Sequence, residues 1–170
     1  MESIRCQFAR LSDISVDELL HAYGVYVIWS GKSRARPSYI GEGDIWSRLG
    51  QHRNRFPRPV DGYATIIGYE YTAATKRNAQ IVEAVLLAIG EETDRYAVHN
   101  KRGGNLAKLD KLFDWHGVVK IHFEGNDPFL EPGTSRPAKG KRTVSITLND
   151  EGNFMVNHPW RLRRLRLPKS

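Results

Sequence analysis

The sequence predicts an α/β domain followed by a small β-rich appendage. Three observations carry this. Short β-branched and aromatic runs bounded by turn residues recur at 25–29, 38–41 and 63–71, the pattern of strands. Apolar residues fall at helical spacing over 45–56 and 76–92. After residue 117 the helical spacing stops, and two-residue alternation returns around a Pro-, Gly- and base-rich loop. The chain therefore divides into a lead-in (1–22), an α/β unit (23–116) and a basic β appendage (117–170).

In the lead-in, Ser15 precedes Val16-Asp17-Glu18-Leu19-Leu20, which predicts a short capped helix with acids in its first turn. Gly24 opens the run Val25-Tyr26-Val27-Ile28-Trp29, a buried strand. The polar, basic stretch 30–37 then leads to a second short strand at 38–41, close enough to pair as a hairpin with a long loop. Asp44 caps a helix from Ile45 to about Phe56, which Pro57 and Pro59 stop. A third strand occupies 63–71. Thr75 caps the helix 76–92, whose interior is apolar nearly all round and is therefore buried. Apolar residues at 106, 109, 112 and 113 predict a third helix over 106–115. The appendage alternates like strands at 118–123 and 143–148, with a further strand at 154–156.

The 170 residues are enough to bury a core without disulfides or a structural metal. No apolar run reaches the roughly 20 residues of a bilayer span, and residues 1–5 lack a secretory pattern, so a cytoplasmic location and no membrane are expected. The single cysteine, Cys6, cannot form an internal disulfide and is expected to be buried and inert. A net charge of +7 and a pI near 9.7 favour a polyanionic partner, nucleic acid first.

Among the titratable residues, Glu83 is the most informative. A carboxylate among Val82, Val85, Leu86 and Leu87 needs a cation, whether arginine, lysine or metal. An ion pair with Arg48 is the structural alternative. Arg48 and His52 stand four apart on one helix and share a face. Tyr26 and Tyr39 lie on neighbouring strands, whose pairing brings both hydroxyls to one side of the sheet. The other five histidines, at 21, 99, 116, 122 and 158, have no metal-ligand spacing and read as ordinary surface or core residues.

In order, Gly24-Val25-Tyr26, Tyr39-Ile40-Gly41, Arg48 with His52, Glu83 and Asn100 resemble the GIY-YIG nuclease superfamily over residues 23 to about 105. The resemblance implies a small mixed or antiparallel three-stranded sheet flanked by helices. It also implies a metal-dependent DNA endonuclease, of restriction or mobile-element kind. Glu83 would hold one divalent ion, Mg²⁺ or Mn²⁺, and no other cofactor would be needed. Tyr26 would orient or activate water, Arg48 would neutralise the phosphate, His52 would move a proton, and Tyr39 would position the network. Asn100 would tie the site together, with Asn105 the competing candidate.

This chain has Val25 at the middle of the first triplet, and Glu42 where many members have lysine. Lys32, Arg34 or Arg36 would then supply the missing charge. Beside such a core, Arg136, Lys139, Lys141 and Arg142 in the loop, and Arg161, Arg163, Arg164 and Arg166 near the terminus, are expected to meet DNA backbone. A second reading is a catalytically weak nucleic-acid-binding module that kept the fold, for which Glu42 is the support. A third, a basic RNA-associated protein, explains the charge but leaves Glu83 and the triplets as coincidences. No oligomeric interface is legible.

Overall fold

The computed structural model describes residues 2–31, 35–112, 117–133 and 140–162. Its strands form one seven-stranded mixed sheet that curls into a half-barrel. They are β1 (Glu2–Arg10), β2 (Tyr23–Ser30), β3 (Tyr39–Asp44), β4 (Val60–Gly68), β5 (Val119–Gly125), β6 (Arg142–Leu148) and β7 (Phe154–Asn157). The helices are α1 (Val16–Leu20), α2 (Ile45–His52) and α3 (Ala73–Glu92), with 3₁₀ turns at Leu11–Asp13 and Leu106–Lys111. Among the described residues no helix is long and apolar enough to cross a membrane.

The spatial order is β3-β2-β4-β1-β5-β6-β7. This corrects the expected three-stranded sheet with a separate appendage. The expected strands β3, β2 and β4 are present as an antiparallel group. The lead-in, however, supplies β1, which pairs antiparallel with β4 through Phe8↔Thr65 and parallel with β5 from Glu2↔Val119 to Phe8↔Gly125. A three-stranded sheet would leave the outer edge of β4 with unpaired main-chain groups; β1 covers it and carries β5 to β7 into the same sheet. The warrant is in the sequence. Ile4, Cys6 and Phe8 alternate with Ser3, Arg5 and Gln7, and the three apolar side chains are buried. Burial also pushes the Cys6 thiol up to about 12, which leaves it an inert core residue.

Both faces of β2 are covered, which is why its sequence is a continuous apolar run. One face, with Val25, Val27 and Trp29, packs against α3 in the main core. The other, with Tyr26 and Ile28, packs against Leu19, Ala22, Ile45 and Phe56 from the α1–α2 side. Ser15 accepts from the Glu18 amide and caps α1, and Asp44 accepts from the Ser47 amide and caps α2. Helix α2 ends at His52, earlier than the expected 56, and α3 is capped by Thr72 rather than Thr75. The expected helix over 106–115 is a 3₁₀ turn as far as Lys111, and residues 113–116 lie outside the described residues.

Candidate functional site

The site forms where the edge strand β3 meets α2 and α3. Tyr26 on β2 pairs with Gly41 on β3 and with Ala64 on β4, so small residues flank it on both sides. Tyr39 lies two residues before Gly41 and therefore on the same face as Tyr26. The two rings stack 6.2 Å apart at 29°. A Cβ on Gly41 would stand 2.4 Å from the Tyr26 hydroxyl oxygen and 2.8 Å from Tyr39 Cε1. Only glycine lets both tyrosines close over that point. A Gly41→Ala substitution is expected to destabilise the fold by about 1–3 kcal/mol, the range for overpacking. It is also expected to part Tyr26 from His52. Urea melts check the first effect, and the NMR resonances of the His52 ring check the second.

His52 closes the cluster from the end of α2. Its Nε2 lies 3.2 Å from the Tyr26 hydroxyl, and its ring is 4.8 Å from that of Tyr39. Phe56, the last apolar residue before Pro57, packs against His52 at 5.6 Å and Tyr39 at 6.1 Å. Sequence reading missed Phe56 as a site residue, although its place between a helix and a proline was visible. His52 is 7% exposed, and its Nδ1 is buried with no partner. Burial first, then the charges of Arg55 and Arg48, lower its pKa, so the ring is neutral at physiological pH. Burial raises the Tyr26 hydroxyl far above its ordinary 10, so it is a neutral phenol there. Tyr39 is raised by burial and by the charge of Glu83.

Arg48 stands on the exposed side of the same helix, over Gly43, where a Cβ would meet its Nε at 3.0 Å. Gly43 has φ +139°, a conformation that also favours glycine. The guanidinium reaches Gln51 Oε1 at 3.4 Å. Among the described residues no ion pair joins it to Glu83.

Glu83 and Asn100 meet the free edge of β3. Asn100 acts as a substitute strand. Its Oδ1 accepts from the Ile40 amide and its Nδ2 donates to the Ile40 carbonyl, both at 2.9 Å. Two residues on, where the edge turns outward again, a main-chain hydrogen bond at Glu42 faces the Glu83 carboxylate. Asn105, the competing candidate, instead donates to Glu91 at 2.8 Å and lies outside the cluster.

Burial, then the Glu42 charge, raises Glu83 from 4.5 to about 7, against the pull of Lys108 and Arg48. Glu42 itself accepts from the Tyr23 hydroxyl at 2.7 Å. Two carboxylates held near one another, with phenol oxygens beside them, are hard donors whose mutual repulsion a small divalent cation would relieve. Among the described residues no group of three or more His, Cys, Asp or Glu side chains stands ready to enclose a metal. An ion held by Glu83 would therefore need waters for most of its coordination.

Because a carboxylate must lose its proton to bind a metal, any divalent ion held by Glu83 would bind more tightly as pH rises through about 7. A reaction that depended on such an ion would show its acid limb near there at low Mg²⁺, moving to lower pH as Mg²⁺ increases. His52, already neutral above its lowered pKa, adds no limb on the alkaline side.

The expected DNA contacts separate. Arg36 pairs with Asp94 at 2.7 Å and lies over Tyr96, so its charge is already engaged. Arg142 sits 3.5 Å from Asp127 and packs on the Trp160 ring, a structural placement. Lys141 and Arg161 are exposed. Lys32, Arg34, Arg136, Lys139, Arg163, Arg164 and Arg166 lie outside the described residues. Comparison with protein-family models, curated proteins and solved structures returns no match for this chain.

Proposed function

We propose that the chain is a metal-dependent endonuclease that hydrolyses phosphodiester bonds in DNA at the Tyr26–Tyr39–Arg48–His52–Glu83 cluster. The observation that carries this reading is the gathering around the edge strand β3 of a half-buried, cation-seeking carboxylate, an exposed guanidinium with no carboxylate ion pair among the described residues and a tyrosine hydrogen-bonded to a neutral histidine.

Glu83 would hold one Mg²⁺ or Mn²⁺. Bound there, the ion would polarise the phosphoryl oxygen and stabilise the leaving oxygen. The remaining work falls to side chains. The Tyr26 hydroxyl orients the attacking water. Being a neutral phenol, it acts as a relay: it passes its own proton to the free electron pair of His52 Nε2 as it takes one from water. That role requires the tautomer with its N–H on the buried His52 Nδ1. Arg48, exposed and aimed over Gly43, offers a planar fork to the phosphate oxygens. Tyr39 and Phe56 hold the imidazole in place by packing. Asn100 fixes the edge from which Tyr39 and Glu42 project.

The net charge of +7 favours approach to DNA. The competing reading, a binding module that does not cut, draws on Glu42, whose negative charge sits beside Glu83. Supercoiled plasmid incubated with the purified protein separates the two. Nicked or linear product in Mg²⁺ and none in EDTA supports hydrolysis. A plasmid retarded on a gel but uncut in Mg²⁺ supports the binding module.

A further inference from the structure

An open cleft of about 680 Å³ adjoins the site, and the hydrolytic reading leaves it without a role. Arg48 and Glu42 both line it. The connection between β4 and α3, which carries Tyr69 and Tyr71, lines it too, with Lys76 on the first turn of α3. Tyr69 is 60% exposed and Tyr71 is 68% exposed, among the most exposed large rings of the described chain. Tyr71 is not loose. Its ring meets Tyr23 edge-on at 5.2 Å, and Lys76 Nζ lies 6.0 Å from its centre. Tyr23 is in turn fixed by its hydrogen bond to Glu42. The cleft therefore presents two tyrosine rings, Tyr71 braced against Tyr23, together with two cations, Lys76 and Arg48.

We propose that this cleft stacks an unpaired base of the nucleic-acid substrate on Tyr69 and Tyr71, while Lys76 and Arg48 hold the flanking phosphates. Aromatic faces interleaved with cations recognise single strands, because every base offers a π-face and every linkage a charge. A paired base inside a duplex shows only its edges, so stacking requires a single-stranded, frayed or extruded nucleotide. The substrate class this implies is DNA with an unpaired nucleotide beside the cut. This assignment rests on the nuclease reading for the identity of the strand, but not for the stacking itself.

The test is binding in EDTA, where no hydrolysis occurs. It uses fluorescein-labelled oligonucleotides, single-stranded and as the blunt duplex of the same sequence, with 2-aminopurine at one position in a parallel set. Wild type is expected to bind the single strand more tightly than the duplex and to quench 2-aminopurine. Tyr69→Ala and Tyr71→Ala are each expected to weaken single-strand binding by about 5- to 100-fold, the loss of one base stack. Tyr69→Phe and Tyr71→Phe are expected to retain it. Tyr69→Ala leaves the Tyr23–Tyr71 contact intact, so its loss of binding is not a collapse of the cleft.

Alanine variants that bind as wild type overturn the proposal. So does a duplex bound as tightly as the single strand without quenching, the result if the tyrosines serve only as hydrogen-bond donors to backbone phosphates. Tyrosine-dependent quenching by a protein that leaves DNA uncut in Mg²⁺ upholds the stacking cleft while the hydrolytic reading fails. Cleavage indifferent to Tyr69→Ala and Tyr71→Ala on every substrate does the reverse.

Discussion

Glu83→Gln is expected to lose DNA cleavage by about a thousandfold or more while gaining stability. The loss follows from removing the only carboxylate that faces the site from α3, and with it several kcal/mol of charge stabilisation in the transition state. The gain follows from the same burial that makes Glu83 useful. Its folded pKa of about 7 lies above its ordinary 4.5, so the folded state binds the proton more tightly than the unfolded state does. Stability therefore falls as pH rises from about 4.5 to about 7, and stays low above that. The neutral amide has no such dependence. At pH 8 the variant is expected to be more stable than wild type by about 1–3 kcal/mol, or about 2–4 °C of melting temperature for each kcal/mol. At pH 4 the two are expected to converge. Thermal melts across pH, beside plasmid nicking, read both halves. A variant that cuts normally, or a wild type whose stability rises through this window, contradicts the assignment.

Arg48 carries the second large effect. Its guanidinium is exposed over Gly43, with a long contact to Gln51 as its only side-chain hydrogen bond among the described residues. Its removal should therefore cost little stability. Arg48→Ala is expected to lower kcat by about 10²- to 10³-fold, the range for losing one preorganised donor to a developing oxyanion. Affinity for DNA in EDTA is expected to fall by far less than kcat, with the salt dependence losing about one phosphate contact. Arg48→Lys is expected to recover only part of kcat, since an ammonium keeps the charge but not the planar fork. Single-turnover cleavage separates the chemical step from binding. Equal losses in binding and in kcat would make Arg48 a tether instead of a charge-stabilising group.

Much of the candidate site was legible because it depends on short-range geometry. A two-residue period in β2 and β3 put Tyr26 and Tyr39 on one face, and a four-residue spacing put Arg48 and His52 on one helix. Glu83 stood out because a carboxylate in an apolar helix has few comfortable environments. What spacing left hidden were the partners. Nothing local says that His52 turns inward to Tyr26 while Arg48 turns out, or that Asn100 completes the hydrogen bonding of Ile40 from sixty residues away. Gly41 owes its role to Tyr26, which strand pairing brings over it, and Phe56 to Tyr39 on β3 as well as to His52 one turn away.

The sheet was the larger misreading, and its cause is specific. The strands β2, β3 and β4 are marked by β-branched and aromatic runs, but five of the nine β1 positions are Glu, Ser, Arg or Gln and one is Cys. Its alternation was in plain view, yet its composition resembled a lead-in. Once β1 is a strand, its two edges join β4 to β5, and the expected appendage becomes a continuation of one sheet. Long-range parallel pairing of this kind leaves no signal in either segment alone. The arginines illustrate the same limit. Arg36 and Arg142 looked like DNA contacts by composition, and the structure commits both to carboxylates and aromatic rings.

The central claim is that Glu83 makes this cluster a one-metal site. Electron paramagnetic resonance of Mn²⁺ titrated into wild type and Glu83→Gln at pH 8, with Mg²⁺ as competitor, tests it most directly. One bound Mn²⁺ per chain in wild type, displaced by Mg²⁺ and lost in Glu83→Gln, is the predicted result. Binding that persists unchanged in the variant, or no bound ion in wild type, would contradict it.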